Sequence, residues 1–519
     1  MATQSQDCED DGTVLVVGGG VAGLTLGIEL ARLNQKVTII ESNAQLGGKA
    51  SSRDINGRCE DHGFHIFPPW YRNTWRLIDE AGCRNKFKDN TAYYQLRMGE
   101  FPRFRILRSF TVRNIWQNLF NGAVPANLAL LANFAMLDVI VRFRRSEKLR
   151  DVTLTEFLSA RFYNVSGLAN DIGDLLQAAH AITADEADAS ILSGVAGAML
   201  GIPAPIAIAA TTDLDTALVA PLVNRFKSLG GRVITSTVAT QLLSRSNNII
   251  GIACERPDGD PCNLYADTVV LAVPPDQLNQ LTEDSNDLES ETLSNAGLLP
   301  MRRLSALHFS LLSGTPGIPN EHVRLVSSEL CLTFIDVAAF QEKAPPSVLN
   351  AVIGNPSLIE DADEDEIVDR VLKELDMYGI RIERADIGDV VLQLHDDAKI
   401  FAPIVGTWRN RPTARTDVSG LYVTGDYCRT WVVLPTIEAA VVSGLQTAEA
   451  IRSDIGLQAP PIAPLGPIEP NRSGMRVLWC LALPIAQLVS FGTNLYRRVM
   501  GPQLGSMSAR RTKGGPKSG

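Results

Sequence analysis

The stretch VLVVGGGVAGLTLGIELARLNQKVTIIE, residues 14–41, decides the fold of the N-terminal part of the chain. A short β-branched run at 13–17 predicts a buried parallel strand, because such strands are apolar on both faces. Residues 24–33 have the apolar spacing of a helix, and residues 36–40 predict a second strand that leads directly into Glu41. This strand–helix–strand order is typical of a dinucleotide-binding unit.

The turn between the first strand and the helix contains a Gly-x-Gly-x-x-Gly motif. Gly18 permits the tight turn, Gly20 lets the backbone approach a pyrophosphate, and Gly23 lets the helix pack closely on the strand. Val21 and Ala22 complete the motif at the start of the helix, whose exposed N–H groups would face the phosphates. A tight strand–helix turn without a ligand is the alternative, but the position of the motif between a strand and a helix favours a cofactor site.

The residues after the second strand indicate which dinucleotide binds. Glu41 can accept hydrogen bonds from ribose hydroxyls, and its charge would repel a 2′-phosphate, but it does not separate NAD from FAD. Residues 45–49 (QLGGK) add a second glycine pair, where Gly48 allows close backbone approach and Lys49 lies beside the phosphates or the ribityl chain. This arrangement resembles the flavin-binding proteins of the amine oxidase and carotenoid desaturase superfamily, and the resemblance implies FAD.

The composition excludes several classes of protein. A hydrophobic share of 45% is ordinary for a globular protein, and the formal net charge of −10 argues against a nucleic acid partner. The eight cysteines include no C-x-x-C pair, and of the six histidines only His62 and His65 lie close together, so neither a disulfide framework nor a metal site is predicted. The acidic, polar first eleven residues do not resemble a targeting peptide, which predicts a cytoplasmic protein.

A second cofactor segment is predicted in the middle of the chain. The runs at 238–243 and 248–256 suggest a hairpin, and residues 266–272 suggest a buried strand. This stretch resembles the second cofactor segment of the same superfamily, which implies that the backbone of Val238 lies against the adenine. A purely structural role is the alternative for so apolar a residue.

A third cofactor segment is predicted near residue 425. Residues 420–426 suggest a strand that ends in Gly425, which allows close approach, and in Asp426, whose carboxylate can hold a ribityl hydroxyl. The helix that begins near Thr436 and Ile437 would point its positive end at the flavin pyrimidine ring, where negative charge gathers on reduction. A simple turn is the alternative for the Gly-Asp pair.

Residues 46–82 resemble the plant and cyanobacterial type of phytoene and zeta-carotene desaturases. Those proteins have LGGK, a short hairpin, and then Gly-x-His-x-Phe-Phe followed by a Tyr and an Asn. Here the segment is GFHIF at 63–67, followed by Tyr71 and Asn73. Residues 411–444 are similar to the final FAD segment of the same family.

The resemblance implies an FAD-dependent oxidoreductase that desaturates a long, apolar isoprenoid such as a carotenoid precursor. Flavin N5 would take a hydride from an allylic carbon, while the protein supplies orientation and a dry apolar tunnel. The polar groups predicted near the flavin are His62, His65 and Arg429, with His65 as a polariser or acid–base helper. A histidine that only holds a loop is the alternative for His65. Pro68 and Cys428 depart from the family pattern, which puts the identity of the substrate in doubt.

Other reaction classes share this framework. A flavin amine oxidase would act on a polar amine, and Trp408 and Lys399 are the candidate residues for its aromatic and lysine positions at the flavin. A hydroxysqualene-type enzyme and an isoprenoid-modifying flavoprotein without net redox turnover are further alternatives. In the desaturase hypothesis, the electrons pass to a membrane quinone or to oxygen.

The predicted fold class is α/β: a discontinuous Rossmann-like FAD-binding domain, an α+β substrate domain and a helical membrane-contacting region. The predicted ranges are 1–95, 212–284 and 395–455 for the FAD-binding domain, 96–211 and 285–394 for the substrate domain, and 456–519 for a Pro-rich linker, an apolar membrane-associating segment and a basic disordered tail from residue 507.

Two apolar segments predict contact with a membrane surface. Residues 123–141 are mostly apolar and are followed by arginines, and residues 477–491 form an apolar run of 15 residues with arginines on both sides. Fifteen residues are fewer than the roughly 20 that a spanning helix needs. Both segments therefore predict helices that lie at a bilayer surface, with the arginines near anionic lipid. A buried core helix at 123–141 and a C-terminal tail that packs on the protein body are the alternatives. The prediction is a peripherally membrane-associated protein.

Overall fold

A computed structural model describes most of the chain. The described residues are 14–55, 57–90, 93–107, 126–143, 147–165, 168–199, 207–283, 285, 288–313, 317–319, 321–337, 347–394, 399–467 and 471–511. They contain both helices and sheets, so the α/β class is confirmed.

The strands fall into one parallel sheet, one large mixed sheet and several smaller antiparallel ones. In chain order they are β1 (Val14–Val17), β2 (Val37–Ile40), β3 (Ser52–Ile55), β4 (Arg58–Asp61), β5 (Phe87–Asn90), β6 (Tyr93–Leu96), β7 (Arg105–Leu107), β8 (Ala207–Ala210), β9 (Arg232–Ile234), β10 (Val238–Arg245), β11 (Asn248–Glu255), β12 (Pro261–Tyr265), β13 (Thr268–Leu271), β14 (Met301–Arg302), β15 (Ser305–Leu311), β16 (Val323–Leu325), β17 (Thr333–Asp336), β18 (Val348–Ile353), β19 (Ile387–Gln393), β20 (Ile400–Phe401) and β21 (Leu421–Val423).

The helices flank these sheets or pack with one another. In chain order they are α1 (Val21–Arg32), α2 (Arg72–Glu80), α3 (Ala126–Asp138), α4 (Leu154–Ser159), α5 (Leu168–His180), α6 (Ser190–Met199), α7 (Ala220–Ser228), α8 (Pro275–Glu283), α9 (Glu291–Gly297), α10 (Glu364–Met377), α11 (Ile437–Asp454) and α12 (Arg472–Arg511).

The parallel sheet has the strand order β21-β13-β1-β2-β9, and β1 lies at its centre. Val14 and Val16 pack with α1 and α11 on one face, whereas Leu15 and Val17 pack with β10–β12 and α8 on the other. Burial on both faces explains why the strand is apolar throughout. The predicted strand–helix–strand unit is therefore confirmed, although residue 13 lies outside the described residues.

The second large sheet has the order β19-β15-β18-β17-β16-β6-β7 and is antiparallel except for the parallel pair of β6 and β16. Helix α10 packs on it through apolar residues that include Ile367 and Val371. Strand β6 crosses the predicted domain limit at residue 95 and belongs to this sheet. The sheet faces the carboxyl ends of the parallel strands across the cavity described below.

The predicted bilayer-surface helix at 123–141 is wrong for its described part. Helix α3 buries Leu131, Phe134 and Ala135 in a cluster formed with α4, α5 and α6. Its last residue, Asp138, is 1% exposed and accepts hydrogen bonds from the side chains of Tyr163 and Trp479, at 3.0 and 2.8 Å. The apolar residues of this segment therefore pack against protein, and residues 123–125 lie outside the described part.

The predicted apolar run at 477–491 forms part of α12, which packs along one side on α3. Trp479, Ala486 and Ser490 face the protein, whereas residues such as Leu481 and Leu488 are exposed. The disordered tail was predicted to begin at residue 507, but α12 continues to Arg511. Residues 512–519 lie outside the described part.

Candidate functional site

A cavity of about 1280 Å³ lies between the parallel sheet and the seven-stranded sheet. Small-molecule sites usually measure about 300–1,000 Å³, so this cavity has room for a dinucleotide and a substrate together. All of the predicted site residues except Gly23 and Arg429 line it. They are Gly18, Gly20, Val21, Ala22, Glu41, Gly48, Lys49, His65, Val238, Gly425, Asp426, Thr436 and Ile437.

Among the three motif glycines of the loop, a Cβ atom would meet open space at one position and would clash with the backbone at the other two. Gly18 has φ +103°, and a Cβ there would lie 2.6 Å from the carbonyl oxygen of Ala272. A Cβ on Gly23 would lie 2.3 Å from the carbonyl oxygen of Gly18, so this glycine serves the packing of α1. A Cβ on Gly20 would meet no described atom within 4 Å, although Gly20 lines the cavity. Protein packing therefore does not require a glycine at position 20, but the close approach of a ligand would.

Glu41 holds the glycine loop to the end of β2. Its carboxylate accepts a hydrogen bond from the Gly19 N–H at 2.8 Å and another from the Asn43 N–H at 3.0 Å. Oε1 also accepts hydrogen bonds from the Ser42 hydroxyl and the Asn43 side-chain amide, whereas among the described residues Oε2 accepts only from Gly19. A ribose hydroxyl can therefore still bind at Oε2. Glu41, which was predicted to bind the ribose, therefore also positions the glycine loop. The sequence motif does not reveal this second role.

Val238 lies close to Glu41, because the Thr237 N–H donates a hydrogen bond to the carbonyl oxygen of Glu41 at 3.0 Å. Although apolar, Val238 is 48% exposed and lines the cavity. An apolar surface beside a ribose-binding carboxylate suits a flat base such as adenine.

Lys49 and Asp426 join the first and third predicted cofactor segments. The Lys49 ammonium lies 2.6 Å from the Asp426 carboxylate, and both side chains line the cavity. Residues 377 positions apart in the chain therefore meet at one point of the cavity wall.

The start of α11 also lines the cavity, at Thr436 and Ile437. Thr436 caps the helix, because its hydroxyl accepts a hydrogen bond from the Ala439 N–H at 3.1 Å. The free N–H groups and positive end of the helix therefore face the cavity, where they would stabilise negative charge. Together with the glycine loop, Glu41 and the Lys49–Asp426 pair, this helix start forms what we call the cofactor wall.

Two buried charged residues that the sequence interpretation did not include support the cofactor wall. The Glu438 carboxylate accepts hydrogen bonds from the backbone N–H and the side chain of both Asn73 and Thr74, at 2.7–3.1 Å. Burial raises the pKa of Glu438, and these four donors oppose the shift. Arg411 is 1% exposed and donates to the carbonyl oxygens of Tyr427, Cys428 and Val433. Both lie in stretches that resemble the desaturases, which was the signal available in the sequence.

His65 lines the cavity as a neutral imidazole. Burial, and secondarily the charge of Lys49, lowers the pKa of His65 to about 4. Its Nδ1 atom is buried and has no hydrogen-bond partner among the described residues. A buried polar atom without a partner is costly, so a ligand is expected to satisfy it.

The other predicted catalytic residue, Arg429, does not line the cavity. Its guanidinium donates to the carbonyl oxygens of Trp408 and Arg409, at 3.2 and 2.6 Å. This geometry supports a structural role for Arg429. Trp408, a candidate aromatic residue for an amine oxidase, is likewise not among the cavity-lining residues, whereas Lys399 is.

The residues of this site fit FAD. The open space at Gly20 suits a pyrophosphate, and the helix start suits the charged end of a reduced flavin. His65, whose buried Nδ1 has no partner among the described residues, lines the same cavity. The remaining lining comes from the seven-stranded sheet, from α5 and from residues 63–66, and much of it is apolar.

Comparison with known proteins agrees with this assignment. The model of the family described as flavin containing amine oxidoreductase matches residues 21–452. The chain is 24% identical over 483 residues to a 15-cis-phytoene desaturase of Narcissus pseudonarcissus, covering 86% of this chain and 80% of the relative. It is 32% identical over 90 residues to a zeta-carotene desaturase of Solanum lycopersicum, 17% of this chain and 15% of the relative. A solved structure of wild-type putrescine oxidase bound to putrescine has a TM-score of 0.66 at 15% identity, over 86% of this chain and 100% of that one.

Proposed function

The chain belongs to the family of flavin containing amine oxidoreductases and is an FAD-dependent oxidoreductase, and from that premise we propose that it dehydrogenates a long, apolar isoprenoid. The observation that carries the proposal is the cavity itself, in which the cofactor wall faces an apolar surface. That surface includes Phe64, Ile66, Leu176, Ala306 and Val352. Such a wall suits a hydrocarbon chain, because apolar surface gains free energy when it leaves water.

FAD, when bound, supplies the oxidant, since its flavin accepts a hydride from a carbon next to a double bond. The chain contributes binding and orientation. Gly20 leaves space for the pyrophosphate, while Lys49 and Asp426 provide polar groups for the ribityl chain. The start of α11 stabilises the negative charge that develops on reduction. His65, with a pKa of about 4, is a weak base and acts as a hydrogen-bonding group that orients ligands.

Charge in the cavity disfavours the amine oxidase alternative. Among the described lining residues, the acids are Glu41 and Asp426, and both already have partners in Gly19 and Lys49. The basic lining residues are more numerous: Lys49, Arg53, Arg324 and Lys399. Both acids belong to the cofactor wall, so a cationic amine would meet no carboxylate among the described lining residues outside that wall.

Anaerobic mixing tests the proposal. Purified holoprotein is mixed with phytoene or zeta-carotene in detergent micelles, or with putrescine, and the absorption of oxidised flavin is followed. We expect bleaching by a carotenoid hydrocarbon or a related isoprenoid and none by putrescine. Bleaching by putrescine alone would overturn the proposal. Product formation without any flavin reduction would instead support the isomerising alternative that has no net redox turnover.

We also propose that α12 attaches the protein to a membrane surface, from which a quinone can take the electrons, with oxygen as the alternative acceptor. Within the described residues, one helical stretch, Arg472–Tyr496, is long and apolar enough to cross a bilayer by length and composition, and 11% of its apolar 18-residue window is buried. The Trp479 indole donates to Asp138 at 2.8 Å, and the Asn127 side chain donates to Thr493 at 3.0 Å. Because these contacts hold the helix along the protein body, α12 lies at the surface of the bilayer with its exposed side in the lipid.

Vesicle co-sedimentation tests this attachment. Leu481→Ser and Leu488→Ser replace side chains of α12 that are 65% and 72% exposed. We expect each variant to lower binding to anionic phospholipid vesicles about tenfold, because an apolar side chain no longer leaves water on binding. Leu312→Ser is the control, since Leu312 is 67% exposed but lies after β15, far along the chain from α12. Equal binding by all three variants would contradict the proposal.

A further inference from the structure

One row of residues crosses the seven-stranded sheet on the side that lines the cavity. Its members are register partners on adjacent strands: Gln95 on β6, Arg324 on β16, Thr333 on β17, Val352 on β18 and Ala306 on β15. The row is polar on the first three strands and apolar on the next two. One half of this wall therefore differs in chemistry from the apolar half that suits a hydrocarbon.

Two more polar residues extend the polar half. Tyr93 and His322 lie two positions before Gln95 and Arg324, which places them on the same face of the sheet, and both line the cavity. Their rings pack with centroids 4.4 Å apart. We call Tyr93, Gln95, His322, Arg324 and Thr333 the polar patch.

The polar patch adjoins the segment that contains His65. Phe64 packs edge-on against His322, with ring centroids 4.9 Å apart. A Cβ on Gly63 would lie 3.7 Å from Val352, so the same short segment also borders the apolar half. A substrate held beside residues 63–65 would therefore touch both halves of the wall.

Three atoms of the polar patch are buried without a hydrogen-bond partner among the described residues: Tyr93 Oη, His322 Nδ1 and Arg324 Nε. His322 and Arg324 are only 6% and 3% exposed. Buried polar groups nearly always have partners in folded proteins, because a lost hydrogen bond to water must be replaced. The three residues that carry these atoms line one cavity wall, so a polar group of a ligand is the partner that this wall would accept.

The charges of the patch decide which polar group fits. The Arg324 guanidinium pairs with the Asp174 carboxylate at 3.2 Å, so its charge is already balanced. Burial, together with the charge of Arg324, lowers the pKa of His322 to about 3, and burial raises the pKa of Tyr93, so both are neutral near pH 7. A carboxylate placed here would add an unbalanced buried charge, whereas an uncharged oxygen would not.

We propose that the substrate carries an uncharged oxygen, as a hydroxyl or carbonyl group, which hydrogen-bonds to Tyr93, His322 and Arg324 while its hydrocarbon chain lies on Val352 and Ala306. The proposal rests on the proposed function, because it specifies the class of isoprenoid that the same cavity takes. The site is thus selective for an oxygenated isoprenoid over the corresponding hydrocarbon.

A matched series of ligands tests the proposal with the full-length holoprotein. The probes are geranylgeraniol, geranylgeranial, geranylgeranic acid and the hydrocarbon with hydrogen in place of the hydroxyl, and the perturbation of flavin fluorescence measures each Kd. We expect the alcohol and the aldehyde to bind about tenfold more tightly than the hydrocarbon and than the acid. Tightest binding by the hydrocarbon or by the acid would overturn the proposal.

Two variants test whether the preference for the alcohol over the hydrocarbon depends on the polar patch. Tyr93→Phe removes one hydroxyl and keeps the ring that packs on His322, so we expect the alcohol to lose severalfold in affinity and the hydrocarbon to lose nothing. Tyr94→Phe is the matched control, because the next residue of β6 lies on the opposite face of the sheet. An unchanged ratio of alcohol to hydrocarbon affinity in Tyr93→Phe would mean that the patch holds only water, and the proposal would fail.

Two further outcomes separate this inference from the proposed function. If carotenoid hydrocarbons bleach the flavin but show no weaker binding than their hydroxylated forms, the proposed function stands and the inference alone is wrong. If no isoprenoid binds or bleaches the flavin, both fail.

Discussion

The cofactor wall and the polar patch lie across one cavity, yet they differ in how their polar groups are satisfied. On the cofactor wall the chain supplies the partners, as Glu41 does for the Gly19 N–H and Lys49 does for Asp426. On the polar patch, Tyr93 and His322 each keep an atom without a partner among the described residues. The difference teaches that the protein itself preorganises the ion pair and the glycine loop of the cofactor wall, whereas the polar patch keeps hydrogen-bonding atoms that, in our proposal, the substrate oxygen would satisfy.

The largest effect is expected from a substitution at Gly20, the glycine of the loop where a Cβ would meet open space. Gly20→Val places a side chain where the pyrophosphate must approach, so we expect the Kd for FAD to rise about a hundredfold, about 2.8 kcal/mol. Titration of the apoprotein with FAD measures it. Gly466→Val is the control, because a Cβ on Gly466 likewise meets no described atom within 4 Å. Neither variant should change the Tm of the apoprotein, and equal FAD affinity would show that no phosphate comes close to Gly20.

A second variant tests whether the start of α11 is held in place by the buried carboxylate of Glu438. Glu438→Gln replaces an acceptor of four hydrogen bonds by a group that accepts at one atom only, so the free energy of unfolding should fall by about 2 kcal/mol. Urea denaturation measures the change. Glu449→Gln on the same helix should lose less than about 1 kcal/mol, because its ion pair with Arg452 is partly exposed. Equal losses would refute the special role of Glu438.

The pH dependence of stability compares His65, which the charge of Lys49 influences, with His322 of the polar patch. Burial lowers the pKa of His65 to about 4 and the pKa of His322 to about 3 in the folded protein. In the unfolded chain, a histidine has a pKa of about 6.5. Between these values the unfolded state binds protons that the folded state excludes, so stability is present above about pH 6.5 and is lost as the pH falls. Each histidine contributes about 1.4 kcal/mol per pH unit in that range. His65→Gln and His322→Gln should each flatten the slope by this amount, and an unchanged slope would mean that the native histidine is charged.

The smallest expected effect concerns the ion pair of the cofactor wall. The Lys49 side chain is 30% exposed, so its attraction to Asp426 is partly screened by water. We expect Lys49→Gln to weaken FAD binding about fivefold, about 1 kcal/mol, and to raise the pKa of His65, which NMR of the ring protons measures. A double-mutant cycle with Asp426→Asn separates the pair from direct contacts with FAD. A loss larger than that of Gly20→Val would reverse the order of importance argued above.

Much of the cofactor wall followed from local sequence order. The motif at Gly18, Gly20 and Gly23 lies within a few residues of the strand and helix that it connects, so its geometry depends on short-range backbone rules. The strand leading to Gly425 and the helix that begins at Ile437 were predicted from equally local patterns. Their convergence with Lys49 was inferred only from the resemblance to the desaturases.

The sequence is least informative about side chains whose partners are distant in the chain. Arg429 was predicted near the flavin, whereas in the structure its guanidinium donates to the carbonyl oxygens of Trp408 and Arg409. The segment at 123–141 looked lipid-facing because hydropathy does not tell a lipid neighbour from a protein neighbour. The contact of Asp138 with Trp479, 341 positions away, decided the matter.

The sequence by itself determined that this protein has a Rossmann-like dinucleotide-binding unit, because a glycine loop, its helix and its acidic residue are specified within 28 consecutive positions, 14–41. FAD followed from the QLGGK segment at 45–49 and the family resemblance that it carries. Only the tertiary structure decided what lines the rest of the cavity. Strands β6 and β16, more than 200 residues apart in the chain, had to pair before Tyr93, His322 and Arg324 could form one patch. Register between distant strands depends on the whole buried face of a sheet, and no local pattern records it.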